Sequence, residues 1–211
     1  AGGLVRNAFN HNVYLANYPE IIQSYIYGDK KNPSYNIETS YNWYKKAADL
    51  GDPAAINNLA GFYFHGVGRE KDLKKAFTLY LKAANKNQSA AQNTIGYMLY
   101  NGMGITKDEE KGIYWFMRAA DQGSLNAQLN LADLYMAKEK YHESFLYLKR
   151  AAYKNNIEAQ LAVAKMYLNG QGVKLNKSLA LYWYKKAAKQ GSYKAKQMIE
   201  ELELESVSVD D

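Results

Sequence analysis

The chain alternates between two kinds of amphipathic segment, and both have the spacing of α-helices. In the first kind, an alanine is followed by apolar residues four and eight positions later, as in Ala91, Ile95 and Leu99. This spacing places the apolar side chains on one face of a helix. In the second kind, a bulky pair such as Trp115-Phe116 stands one helical turn before Ala119-Ala120. Neither kind alternates with period two over the length of a strand, so the pattern predicts an all-α fold.

The second kind of segment recurs at a nearly fixed period. An Ala-Ala pair begins at residues 47, 83, 119, 151 and 187, which gives steps of 36, 36, 32 and 36 residues. Bulky residues one turn before each pair let a neighbouring helix approach closely at the alanines. A period of this length is typical of helix pairs that stack into a solenoid. We therefore expect units of two helices, A and B, with the alanine pair on helix B.

Turn residues stand between the predicted helices. Gly-x-Gly turns follow three of the helices A, and glycines permit the positive φ that ends a helix. Asp72, Asp108 and Asn176 share one column and suit the start of helix B. Two units depart from this pattern: residues 28–33 replace the glycine turn in the first, and residues 136–140 shorten the turn in the fourth.

The predicted boundaries follow from these signals. They are an N-terminal extension at 1–16, repeats at 17–54, 55–90, 91–126, 127–158 and 159–192, a capping helix at 193–204 and an acidic tail at 205–211.

The aligned units share the motif A-x-x-x-[LIV]-[GA]-x-x-Y-x-x-G-x-G-[VI]-x-x-D-x-x-[KA]-A-x-x-W-Y-x-K-A-A-x-x-G. This motif resembles the Sel-one-like repeat family, a relative of the tetratricopeptide repeat. Residues 159–191 match it almost throughout, with Asn176 in place of the Asp, and residues 55–87 and 91–123 match nearly as well. The resemblance implies a right-handed α/α superhelical solenoid of about five repeats with a C-terminal capping helix. It also implies a bacterial interaction scaffold or adaptor that binds a protein.

Composition bears on the chemistry and the location of the protein. The chain has no cysteine, which excludes disulfides and thiolate chemistry. No apolar run approaches the roughly 20 residues of a membrane span. Because the sequence begins with Ala1, not Met, we expect a processed or trimmed N-terminus. The location is periplasmic or secreted if a signal peptide was removed, and otherwise cytoplasmic.

Charge leaves one alternative partner class open. The net charge is +6, but residues 200–211 carry six acidic and no basic residues, so residues 1–199 carry +12. This excess could favour an anionic partner, although surface lysines also serve solubility. We expect no nucleic-acid binding, because no basic stripe with interleaved aromatic residues stands out from the lysines that follow the repeat.

The sequence contains no pattern that demands catalysis. His11, His65 and His142 are isolated, and none has a metal-ligand or base partner at helical spacing. The Gly-x-Gly turns follow helices and lack the third glycine of a dinucleotide loop. We therefore predict no catalytic residue, metal or cofactor. A repeat-fold hydrolase remains the alternative from another class, but it needs a convergent nucleophile and base.

Helix A residues off the packing face line the inner surface in resembling solenoids. These columns combine asparagines, which donate and accept hydrogen bonds, with apolar or aromatic anchors. The predicted partner-binding residues are Asn58, Phe62, His65, Tyr97, Met98, Asn101, Asp133, Lys165 and Asn169. Alternatively, the apolar members pack against neighbouring repeats and the asparagines are solvated. We expect a monomer whose partner is a secreted effector of the lipase class, as for immunity proteins that it resembles, or an envelope protein.

Overall fold

The computed structural model describes residues 37–207, with side chains as far as residue 204. This range forms ten α-helices joined by turns and contains no strand. The helices are α1 (Ile37–Asp49), α2 (Pro53–His65), α3 (Leu73–Asn85), α4 (Ser89–Asn101), α5 (Glu109–Asp121), α6 (Leu125–Ala137), α7 (Tyr141–Tyr153), α8 (Ile157–Asn169), α9 (Lys177–Lys189) and α10 (Tyr193–Val207). The predicted all-α fold is confirmed in this part of the chain.

Several predicted features lie outside the described residues. They are the N-terminal extension at 1–16, the first helix A with its turn at 28–33, His11, and residues 208–211 of the acidic tail. The last helix, α10, begins at the predicted residue and continues to Val207, into the segment that we assigned to the tail.

The chain divides into two compact units, residues 1–124 and 125–211. The first unit contains α1 to α5 and the second contains α6 to α10. Within each unit, every helix packs against the next one along the chain. The pairs α2–α3 and α4–α5 in the first unit, and α6–α7 and α8–α9 in the second, are the predicted pairs of helix A and helix B.

The alanine pairs lie at the helix contacts, as the sequence predicts. Ala83, Ala84, Ala119 and Ala120 are fully buried in the first unit, and the pair at 151–152 is fully buried in the second. Because an alanine side chain is a single methyl group, two helices can approach closely there. Bulky residues fill the flanking space: Phe116 and Trp183 are each 2% exposed.

The turns also form as predicted. The side chains of Asp72, Asp108 and Asn176 each accept a hydrogen bond from a backbone N–H three residues later, at 2.9 Å. Such a bond satisfies a helix donor that has no partner within the helix. In the fourth repeat, α6 ends at Ala137 and α7 begins at Tyr141, so the glycine turn is replaced by the predicted short one.

A buried glutamine connects consecutive repeats in each unit. Gln92 is fully buried, and its Nε2 donates to the oxygen of Ala84 at 3.1 Å. Its Oε1 accepts from Nε2 of Gln122 at 2.5 Å. In the second unit, Gln160 makes the same two bonds, to Ala152 at 3.1 Å and with Gln190 at 2.8 Å. The bonds tie helix A to the end of the helix B before it and to the turn after its own helix B.

Candidate partner-binding surface

Each helix A keeps one face accessible. In α4 this face carries Thr94, Tyr97 and Asn101, which stand three, six and ten residues after the first alanine of the motif, Ala91. Intervals of three and four residues place these side chains on one side of a helix. We call the accessible residues of these columns the helix A face. It comprises Asn58, His65, Thr94, Tyr97 and Asn101 in the first unit, and Asn130, Asp133, Ala137, Ala162, Lys165 and Asn169 in the second.

Two predicted anchors are not on this face. Phe62 and Met98 are both 0% exposed, so the expectation that they contact a partner is wrong. Both stand seven residues after the first alanine of the motif, Ala55 or Ala91, and seven residues fall only about 20° short of two helical turns. Their side chains therefore project on the same side as that buried alanine. The equivalent Leu134 and Met166 are each 2% exposed, so the whole column belongs to the core.

The polar groups of the first unit are partly engaged within their own helices. Asn58 accepts a hydrogen bond from Nδ2 of Asn57 at 3.3 Å. The Nδ2 of Asn101 donates to the oxygen of Tyr97 at 2.9 Å. A side-chain amide offers two donor hydrogens and an acceptor oxygen, so one local bond leaves Asn101 able to bond a partner. Tyr97 is half-buried and offers the aromatic ring of this surface.

His65 lies at the end of α2, with its ring 4.8 Å from the ring of Phe64 in an edge-on arrangement. Burial, and to a smaller extent the positive charge of Lys71, lowers the pKa of His65 to about 4. The imidazole is therefore neutral at pH 7.

The second unit presents charges on its helix A face. Burial raises the pKa of Asp133 on α6 to about 6. None of the described residues forms an ion pair or a side-chain hydrogen bond with Asp133. Lys165 and Asn169, on α8, are exposed. A half-buried carboxylate beside solvent and an exposed ammonium group can each bind an opposite charge of a partner.

The structure thus divides the predicted site into two groups. Asn58, His65, Tyr97 and Asn101 belong to the first unit, and Asp133, Lys165 and Asn169 belong to the second. Sequence reasoning missed a cluster at the turn between α2 and α3, where Arg69 stacks on Tyr41. One signal was present, because Arg69 occupies the motif position that otherwise holds Val or Ile.

Residues 37–207 contain no group of three or more His, Asp or Glu side chains that could hold a metal ion. None of the helices in that range is both long and apolar enough to cross a membrane.

Helix pairs at a nearly fixed period, with left-handed glycines after three of the helices A and Asp or Asn caps on three of the helices B, define a helical repeat protein. The Sel1 repeat family model matches residues 23–52, 53–88, 89–124, 125–156 and 157–192. These matches cover most of the chain, which therefore belongs to the Sel1 repeat family. No curated protein matches the chain significantly.

Solved structures show the same fold. A Sel1 repeat protein from Oxalobacter formigenes is 28% identical, with a TM-score of 0.75 over 85% of this chain and 53% of its own. The protective antigen c5321 of uropathogenic Escherichia coli is 25% identical, with a TM-score of 0.75 over 89% of this chain and 41% of its own. The immunity protein Pa5087 from Pseudomonas aeruginosa is 25% identical, with a TM-score of 0.51 over 86% of this chain and 68% of its own. The chain spans about half the length of the first two.

Proposed function

We propose that this Sel1 repeat chain is a scaffold that binds a protein partner on its helix A face. The carrying observation is that the columns three, six and ten residues after the first alanine of the motif stay accessible, apart from Gly61, and are mostly polar, while the column at seven residues is buried in all four described repeats. A surface that is not used for packing between the repeats is available to bind a partner.

The chemistry of this face suits a protein segment. Tyr97 supplies an aromatic side chain with a polar tip, and such residues are enriched where interfaces bind tightly. The amides of Asn58 and Asn101 can bond a peptide backbone without reading its sequence. Asp133 and Lys165 carry opposite charges, which select a partner with the complementary arrangement. The proposal uses no catalytic residue, cofactor or metal.

Likeness to Pa5087 favours one kind of scaffold in particular. That protein is an immunity protein, and it is 25% identical over 86% of this chain. An immunity-type chain would neutralise a secreted effector by binding it. Co-expression tests this version directly: the chain would restore growth to cells that produce the toxic effector encoded beside it. Unchanged toxicity, with the complex nevertheless formed, would leave the scaffold role and remove the immunity role.

Site-specific photo-crosslinking tests the location of the surface before the partner is known. A photoreactive phenylalanine analogue is placed at Tyr97, on the helix A face, or at Tyr114, which is 55% exposed on the helix B α5. Both sites replace a tyrosine, so reactivity is matched. We expect a discrete adduct in an extract of the source cells from position 97 and none from position 114. Adducts only from position 114 would move the site to helix B.

Calorimetry with the identified partner then measures the contribution of each unit. Tyr97→Ala with Asn101→Ala tests the first unit, and Asp133→Ala with Lys165→Ala tests the second. We expect at least a tenfold loss of affinity from one of these pairs, since central anchors typically contribute about 2 kcal/mol or more. The control is charge reversal at Lys45 and Lys46, which are exposed on α1. Loss from the lysine pair alone would contradict the proposal.

A further inference from the structure

A pocket lies at the turn between α2 and α3 in the first unit. It is lined by the cations Arg69, Lys71 and Lys74, by Tyr63, Leu73 and Gly104, and by the acids Glu70 and Asp72. Clefts lined by an excess of one charge concentrate ions of the opposite charge.

The side chain of Arg69 is fixed by two neighbours, and part of its guanidinium group has no hydrogen-bond acceptor among the described residues. Its guanidinium carbon lies 3.1 Å from the ring centroid of Tyr41, and one terminal nitrogen donates to Glu38 at 3.2 Å. Its side chain is only 18% exposed, and its buried Nε donates to none of the described residues. Buried donors without an acceptor are costly, so this arginine would be stabilised by a further acceptor that could reach its guanidinium group.

Tyr63 marks the point where negative charge is favoured. Its hydroxyl lies 2.7 Å from that of Tyr41, and the Nζ of Lys75 lies 4.1 Å from its ring centroid. Burial raises the pKa of Tyr63, but hydrogen bonds from Lys75, Tyr41 and Arg69, together with the charge of Lys75, outweigh it and lower that pKa overall. The same donors raise the stability of any anionic oxygen at this position.

The other repeats show that the fold does not need this cluster. Where Arg69 stands, the third and fifth repeats have Ile105 and Val173. Where Tyr41 stands, the next repeat has Phe77. The turn itself is unchanged, because Asp108 caps its helix just as Asp72 does. The polar groups are therefore an addition to a turn that forms equally well with apolar ones.

Nearby acids offset most, but not all, of the positive charge around the pocket. Glu38 is already paired with Arg69, and Asp72 caps α3 by accepting the backbone N–H of Lys75. Arg69, Lys71, Lys74 and Lys75 against Glu38, Glu70 and Asp72 leave a net charge of +1, and the three lysines are all exposed. A dianion gains more than a monoanion from such an excess of positive charge. We propose that the pocket bounded by Arg69, Tyr63 and Lys74 binds a phosphate monoester group.

Phosphorus-31 magnetic resonance tests the proposal with inorganic phosphate as the probe, at constant ionic strength. We expect saturable broadening of the phosphate line in the parent chain. Arg69→Ile should weaken binding at least tenfold and should still fold, because the third repeat has Ile at this position. Lys111→Gln is the matched control, since Lys111 follows the cap Asp108 as Lys75 follows Asp72. It should bind phosphate as the parent does.

A second measurement responds to the ligand rather than to folding. Bound phosphate places negative charge beside Tyr63 and should raise the pKa of its hydroxyl, which the tyrosinate absorbance at 295 nm reports. Tyr63→Phe should lack the shifted component. Equal or non-saturable binding in the parent, Arg69→Ile and Lys111→Gln would overturn the proposal, as would acetate binding as strongly as phosphate. Comparing phosphate with a phosphoserine peptide identifies the source: tighter binding of the peptide indicates a phosphorylated protein, and equal binding a small phosphate compound.

Discussion

Replacing Gln92 by Met tests the connection that the buried glutamines make between repeats. Methionine has a similar length and fills the site, but it removes both hydrogen bonds of the amide. The oxygen of Ala84 still accepts from the backbone N–H of Asn87 at 3.0 Å, so no buried acceptor is left alone. With about 1 kcal/mol for each hydrogen bond, we expect Gln92→Met to lower the free energy of unfolding by about 2 kcal/mol.

A substitution of Gln122 separates the contributions of the two hydrogen bonds of Gln92. Gln122→Ala leaves the bond to Ala84 intact but removes the donor to Oε1 of Gln92, which is 0% exposed. We expect a cost of about 1 kcal/mol in the parent and close to none in Gln92→Met, where the acceptor is already gone. The coupling energy of the double-mutant cycle should therefore be about 1 kcal/mol.

Urea denaturation followed by circular dichroism measures all four proteins of this cycle. The slope against urea must be the same in each, because repeat proteins can lose two-state behaviour when one contact between repeats weakens. Gln160→Met and Gln190→Ala in the second unit provide an independent replicate. A coupling energy of zero, or a Gln92→Met chain as stable as the parent, would show that the amide bonds do not stabilise the stack.

Three further predictions follow from burial and charge. Ala119→Leu should cost about 1 to 3 kcal/mol in a thermal melt, because Ala119 is fully buried and extra methylenes overpack the contact; an unchanged melting temperature would contradict this. Between pH 6.5 and about 4 the unfolded chain binds a proton at His65 but the folded chain does not, so the free energy of unfolding should fall as the pH falls. Urea titrations at pH 7 and pH 5 measure this loss, and His65→Gln should make it smaller by about 1 to 2 kcal/mol. Between pH 3.8 and about 6 the folded chain binds a proton at Asp133 but the unfolded chain does not, so the contribution of Asp133 to stability falls as the pH rises. Asp133→Asn should therefore be about 1 to 2 kcal/mol more stable than the parent at pH 7 but not at pH 4.

The fold was predictable because the same sequence signals recur from repeat to repeat. The alanine pairs, the Gly-x-Gly turns and the column of Asp72, Asp108 and Asn176 each recur in phase, so a chance resemblance at one position is corrected by the others. The same recurrence predicted the residues that cap α3, α5 and α9, and the hydrogen bonds confirm it. Local signals of this kind survive packing because they satisfy the backbone of their own helix.

The candidate site was only partly predictable, because it depends on the direction of each side chain around helix A. Asn58, Tyr97 and Lys165 were assigned to accessible columns correctly, whereas Phe62 and Met98 were not. The prediction treated only the residues at i, i+4 and i+8 as buried. The residue at i+7 lies on the same side of the helix as the alanine at i, and it is therefore buried too. The contact between Arg69 and Tyr41 could not be predicted from helix spacing, since 28 residues separate the two positions in sequence.

The columns of helix A differ in how much their residues vary from repeat to repeat. The column of Phe62, Met98, Leu134 and Met166 changes its residues but never its polarity, as a core position must. The column of Gly61, Tyr97, Asp133 and Lys165 changes from no side chain to an aromatic ring, an acid and a base. Packing against a fixed neighbour does not tolerate such variety, because a charge without a partner is costly in a core. This variation supports the proposal that the accessible members of the column, Tyr97, Asp133 and Lys165, contact the partner.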